Sequence, residues 1–120
     1  MTYIYSIINI DITDKGGMKM TVDIKSVGGH AVAVLNGEID HHNAQEIRTQ
    51  LDSYIITVQP AELTIDFTDI TFMDSSGIGL IMGRCRLMRE WGGNIEIRNP
   101  NQYVRRMLKI SGMERIIKII

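Results

Sequence analysis

The chain has one cysteine, Cys85, so no disulfide can form within it and its stability has to come from packing. That fits a reducing compartment. It also lacks an excess of basic charge: 13 Lys and Arg face 14 Asp and Glu, and the net charge of -1 speaks against a general nucleic-acid binder. No apolar run approaches the ~18 residues that a membrane span needs. The first residues, MTYIYSIINIDITDKGG, lack the basic start and continuous apolar stretch of a secretory signal. The expected location is therefore cytoplasmic, with no membrane partner and no direct nucleic-acid contact. There is no internal repeat and no low-complexity segment. At 120 residues the chain has room for one domain and one core, with little left for an elaborate internal active-site cavity.

What is present is an alternation of short strands and helices. Residues 1–17 stand apart: Tyr3 to Ile12 alternate loosely as a strand would, and Gly16–Gly17 and Met18 follow at once. Met18 and Met20 are both candidate starts, so the expectation is an N-terminal extension over 1–17 and a domain over 18–120. Met20, Val22 and Ile24 alternate with polar residues as a half-buried strand does, and Gly28–Gly29 turns the chain into an antiparallel hairpin. The continuous apolar run Ala31 to Leu35 reads as a central strand buried on both faces, broken by Gly37.

Ala44, Ile47, Leu51, Tyr54, Ile55 and Val58 share one face of a first helix that Pro60 closes, and Asn43 with Glu46 reads as its capping box. Leu63, Ile65 and Phe67 form the next strand. A second helix is predicted from Ser75, with Ile78, Ile81, Met82, Cys85 and Met88 as its core stripe and Gly92–Gly93 as its stop. Asn94 to Arg98 alternates as a strand. Asn99 and Pro100 read as cap and first position of a third helix with Val104, Met107 and Leu108 inward. Ile116 to Ile120 is a last short strand or a docking tail. Strands alternating with helices imply parallel crossovers, hence an α/β class with one antiparallel edge hairpin.

The informative segment is Asp66-Phe67-Thr68-Asp69-Ile70-Thr71-Phe72-Met73-Asp74-Ser75-Ser76-Gly77-Ile78-Gly79. A strand runs out through Phe67, the chain turns, and small polar residues stand where a helix starts, the end of an open α/β sheet at which ligands dock. The plain alternative is that Asp74 or Ser75 is only the helix cap. Three residues beyond the two serines stand Ile78 and Gly79 rather than Glu or Gln, so no reciprocal box fixes a hydroxyl. A free hydroxyl at an exposed helix start is accessible to a kinase. A second stripe on the same helix, Leu80, Gly83, Leu87 and Trp91, offers either a second core face or a partner face, and Gly79 and Gly83 suggest close approach of the sheet or of a partner.

The stretch FMDSSGIGLIMGR, with GEIDHH upstream and GG, NP and LKISGM downstream, resembles anti-sigma factor antagonists of the STAS family, of the sporulation SpoIIAA-like type. The resemblance spans Met20 to Ile120 and rests on motifs in order at three separated places. It implies a single STAS-type domain: a mixed four- to five-stranded sheet with helices packed largely on one side. It implies a protein, not an enzyme, that without a cofactor binds an anti-sigma factor with serine kinase activity and so frees the sigma factor. Phosphorylation of Ser75, the first serine of the Asp-Ser-Ser-Gly segment, is then the off switch, and a PP2C-type serine phosphatase reverses it. Asp74 and Ser76 flank that serine, and Asp40 in GEIDHH matches a partner-facing position. With Gly77, and with Leu80, Gly83 and Leu87 along the second stripe, they make the expected partner-binding set. A STAS scaffold in a stress-signalling complex, acting without sigma release, is the other reading of the same site.

Other chemistries are poorly served. Gly77-x-Gly79 with Gly83 departs from the dinucleotide spacing. His41–His42 are adjacent, lack a third ligand at metal-binding spacing, and read as a solvated helix entry. Ser75, Asp74 and a histidine lack the G-x-S-x-G elbow of a hydrolase. Asp66 and Asp69 lack the acid cluster of an aspartate phosphoacceptor. Cys85 reads as core filler, and Arg84, Arg86 and Arg89 as a solvated face.

Overall fold

Gly28 and Gly29 take φ of 54° and 86°, the left-handed backbone that two-residue hairpin turns need and that glycine adopts without strain. Around that turn the computed structural model, which describes residues 5–13 and 19–120, builds a sheet with helices on one face. In chain order the elements are β1 (Tyr5–Thr13), β2 (Lys19–Val27), β3 (His30–Ile39), α1 (Ala44–Val58), β4 (Glu62–Met73), α2 (Ser75–Arg89), β5 (Asn94–Arg98) and α3 (Gln102–Ile110). A 3-10 turn at Met113–Arg115 leads into β6 (Lys118–Ile119). The sheet has six strands in the order β1-β2-β3-β4-β5-β6. The β1–β2 and β2–β3 pairs are antiparallel, and β3 through β6 run parallel.

The class is the α/β mixed sheet the sequence implies, but six strands replace four to five. The Tyr5–Thr13 segment pairs along all of β2, from Tyr5 opposite Val27 to Thr13 opposite Lys19, so two antiparallel pairs replace one hairpin. At the other edge two residues of β6 pair with Glu96 and Ile97. Tyr3, Gly16–Gly17 and Met18 lie outside the described residues.

The core lies between one face of the sheet and the helices. Met20, Val22 and Ile24 of β2, Ala31, Ala33 and Leu35 of β3, and Leu63, Ile65 and Phe67 of β4 are buried, and Ile47, Leu51, Ile81, Met88, Val104 and Leu108 close over them. Cys85 is buried among them. The run Ala31–Leu35 is not buried on both faces: Val32 and Val34 stay half-exposed, because helices cover only one side. The other side is polar, with His30 Nε2 2.9 Å from Thr64 Oγ1 and the Thr64 hydroxyl donating to Glu96 Oε1 at 2.9 Å. No helix among the described residues is long and apolar enough to cross a membrane.

Three local expectations shift by a turn or less. Asn43 does not box with Glu46. Its side chain turns back, Oδ1 accepting from Asp40 N–H and Nδ2 donating to the Glu38 carbonyl, while Glu46 accepts from Gln50. Val58, the last residue of α1, is 45% exposed. Asn101 rather than Asn99 caps α3, accepting from Val104 N–H at 2.8 Å, because Asn99 sits at φ 54° and donates its N–H to the Ile120 carbonyl.

Candidate functional site

Strand β4 does not stop at Phe67. Its pairing with β3 slips between Val34 and Asn36 and again between Gly37 and Glu38, where Gly37 takes φ 123°. At both slips the extra residue lies on β4, which runs from Asp66 to Phe72 against Val34 to Glu38, so the bulges are in β4 and β3 continues through Gly37 rather than ending there. Along β4 the buried positions change spacing from two to three, Phe67, Ile70 and Met73, which carries the strand out to the mouth of α2. Asp74 N–H then donates to the Ile39 carbonyl at 3.0 Å, tying the end of β4 to the end of β3.

Asp74 is the cap of α2. Its backbone is extended, and Oδ1 accepts from Ser76 N–H at 2.8 Å. Oδ2 takes the N–H of His41 at 3.2 Å and lies 3.5 Å from His41 Nδ1. One carboxylate thus joins the start of α2 to the loop before α1. Its partial burial pushes the pKa up, but the hydrogen bonds from Ser76 and then from His41 outweigh this and hold it below the usual carboxylate value. Asp40 organises that loop: Oδ1 accepts from His42 N–H at 2.8 Å and Asn43 N–H at 3.1 Å, and its carbonyl receives Ala44 N–H. Asp40 and Asp74 therefore stand on adjoining turns at one end of the sheet.

Because Asp74 does the capping, Ser75 is left exposed as the first residue of α2 with its hydroxyl outside the cap. Ser76 is half-buried behind it. Gly77 is buried against Met73, and a Cβ built there would fall well inside van der Waals contact with Met73 Cγ and Sδ. Glycine at this position is what lets α2 start so close to the end of β4.

Beyond Ser76, α1 and α2 diverge around a cleft of about 490 Å³. Leu80, Gly83, Arg84 and Leu87 of α2 face Ala44, Arg48 and Asp52 of α1 across it. The second stripe of α2 is thus divided. Leu80 is buried, Gly83 and Leu87 are half-buried along the cleft, and Trp91 turns away to donate from Nε1 to the Pro60 carbonyl at 3.0 Å. Close approach of the sheet does not explain the helix glycines, since a Cβ at Gly79 or Gly83 would meet nothing within 4 Å.

Arg84 corrects the solvated-face reading. It is 4% exposed, with Nε 2.8 Å from Asp52 Oδ1, and Asp52 is also 3.6 Å from Arg48 Nε. Burial pushes its pKa down against the pull of Asp52, and Arg48 pushes the same way as burial. Arg86 and Arg89 are exposed. The i,i+4 spacing of Arg48 and Asp52 was visible in the sequence, whereas the link from Asp52 to Arg84, and that from Asp74 to His41, join separate elements and carry no local signal. His41 and His42 are exposed with ring centroids 3.9 Å apart, and among the described residues no three His, Cys, Asp or Glu gather as metal ligands. Asp66 is occupied by Thr68, which donates to Oδ1 from both N–H and hydroxyl.

The STAS domain family matches residues 21–120. The chain is 33% identical to the anti-sigma F factor antagonist of Paenibacillus polymyxa, over 85% of this chain and 87% of that one. It is 30% identical to the anti-sigma-B factor antagonist of Bacillus subtilis (strain 168), over 85% and 92%. Among solved structures it resembles the anti-sigma factor antagonist SpoIIAA in its unphosphorylated form, with TM-score 0.73 and 30% identity over 82% of this chain and 87% of that one. The phosphorylated form of SpoIIAA from Bacillus matches with TM-score 0.66 and 29% identity over 82% and 90%.

Proposed function

The chain belongs to the STAS-domain family, and from that membership we propose that it is an anti-sigma factor antagonist switched by phosphate on Ser75. In this reading the unphosphorylated chain docks a serine-kinase anti-sigma factor over the mouth of α2 and the α1–α2 cleft, and the sigma factor is released. The observation that carries it is the division of labour between Asp74 and Ser75: the aspartate caps the helix by accepting from Ser76 N–H, and Ser75 stands exposed as the first helical residue, next to Ser76 in the cleft lining. Asp40, Asp74, Ser76 and Gly77 shape the rim, and Leu80, Gly83 and Leu87 supply the apolar floor. The protein acts by occupancy, not catalysis, and works in the cytoplasm where sigma factors meet polymerase. A relative, SpoIIAA, has been solved in both unphosphorylated and phosphorylated forms with this fold.

The chemistry of the switch follows from charge. The bound kinase supplies its own ATP and transfers the γ-phosphoryl group to Ser75 Oγ, breaking the β–γ phosphoanhydride bond and releasing ADP, while a base on the kinase takes the hydroxyl proton. The product carries about -1.5 to -2 charges and three acceptor oxygens. Within this chain the first turn of α2 tolerates that charge, since helix N–H groups and the macrodipole favour anions there. Under a docked protein the same group must be desolvated beside Asp74, and binding is lost. A PP2C-type phosphatase restores the hydroxyl by hydrolysis. Incubation with the kinase and ATP is expected to place phosphate on Ser75, read by mass spectrometry of the α2 peptide. Equal incorporation into Ser75→Ala refutes the assignment.

The open glycines give a second test. Glycine inside a helix costs about 1 kcal/mol relative to alanine, and at Gly83 no neighbour within the chain needs the space. Gly83→Ala should therefore raise stability by roughly 0.5–1 kcal/mol in denaturant unfolding. Its affinity for the anti-sigma factor should fall about tenfold or more, the equivalent of ~1.4 kcal/mol, because the added methyl stands in the docking cleft. Stability gained with binding unchanged removes Gly83 from the interface.

A further inference from the structure

Arg84 stands in the lining of the α1–α2 cleft with 4% of its surface exposed. Its Nε is 2.8 Å from Asp52 Oδ1, but off the N–H direction, so Nε, Nη1 and Asp52 Oδ1 are all buried without a hydrogen-bond partner. Buried polar groups are nearly always satisfied, and a guanidinium presents five N–H donors in a rigid fork that matches the two oxygens of a carboxylate. The chain's own acceptor is shared, since Asp52 also neutralises Arg48 at 3.6 Å. The lining holds Arg48, Arg84 and Arg86 against Asp52 and Glu90, one cation more than anions.

The geometry points to a carboxylate-recognition site in this cleft: an aspartate or glutamate side chain of the docking protein enters between α1 and α2, beside Leu80 and the open backbone at Gly83, and is held by Arg84 with Arg48. The assignment rests on the docking reading above and adds the chemical group that the partner presents. The incoming carboxylate supplies the acceptors that Arg84 lacks and offsets the surplus positive charge. Covering the cleft also removes water, which strengthens a charge-assisted hydrogen bond. Arg84 recognises and Ser75 gates, at separate points of one surface.

The test is calorimetric titration of the purified kinase anti-sigma factor into the full chain, as wild type, Arg84→Met, Arg48→Met and Ser75→Asp. Arg84→Met is expected to bind about thirtyfold more weakly, as truncation of one partner of a desolvated charge pair does, and to melt lower than wild type, because Asp52 Oδ1 stays buried with only Arg48 left beside that carboxylate. Arg48→Met changes an exposed residue that cannot endanger folding, and should bind about fivefold more weakly. Changing the partner's acids to amides one at a time should find one whose loss weakens binding to wild type but not to Arg84→Met. If both arginine variants bind like wild type while Ser75→Asp binds weakly, the carboxylate site is wrong and the docking reading stands. If Arg84→Met does not fold, Arg48→Met and the partner scan decide in the same two directions. If the unmodified chain does not bind, or Ser75→Asp binds as well as wild type, both fall.

Discussion

Ser75→Asp should bind the anti-sigma factor roughly thirtyfold or more weakly than wild type, a loss of about 2 kcal/mol, while Ser75→Ala binds as wild type and can no longer be switched off. The asymmetry follows from the roles at the mouth of α2. Asp74, not Ser75, satisfies the helix cap, so alanine at position 75 removes nothing the fold needs. Aspartate there adds a second carboxylate next to Asp74, and under a docked protein both must lose water. Folding should hardly respond. An acid in the first turn of a helix gains about 0.3–1 kcal/mol from the macrodipole, and repulsion from Asp74 offsets part of that gain. The melting temperatures of the two variants should therefore agree within a few degrees while their affinities differ strongly. Equal affinities for Ser75→Ala and Ser75→Asp refute the charge argument.

Gly77→Ala has the largest expected effect on the fold. The added Cβ overlaps Met73, which is wholly buried and cannot swing aside into solvent. Overpacking of this kind costs about 1–3 kcal/mol, and the ~1 kcal/mol that alanine gains over glycine in a helix offsets it only in part. Thermal unfolding should fall by several degrees. The steric cause has a signature of sign: in a Met73→Ala background, itself destabilised by about 2–5 kcal/mol, the overlap is gone and Gly77→Ala should become stabilising. Additive effects in that cycle would rule out Met73 as the reason for the glycine. Since Gly77 fixes how closely α2 starts to β4, the single variant should also be phosphorylated more slowly at Ser75.

Much of this frame is legible in the sequence because burial on one face leaves a periodic trace. The stripe from Ile47 to Ile55 and that from Ile81 to Met88 announce α1 and α2, and the polar Asp74-Ser75-Ser76 start of α2 lies where the segment predicts. What escapes has physical causes. The apolar run Ala31–Leu35 does not say which side the helices cover. β4 reads as ending at Phe67 because the register slips opposite Asn36 and Glu38 change the buried spacing from two to three, so Asp69 to Phe72 looks like a turn. Asn43 stands at the N-cap of α1 but makes no side-chain cap bond, its own N–H being held by Asp40, and Asn101 rather than Asn99 holds the first-turn donor of α3, choices made by geometry over two or three residues. Arg84 is hidden most thoroughly. A charge on a helix reads as solvated until another helix brings Asp52 against it.

The phosphate switch is tested with one preparation of the chain phosphorylated to completion on Ser75. It is titrated against the anti-sigma factor before and after treatment with a serine phosphatase. Binding is expected to be roughly a thousandfold weaker, or absent, before treatment, and restored in full when the phosphate is removed, with the melting temperature scarcely changed between the two. Full-strength binding by the phosphorylated chain would contradict the switch.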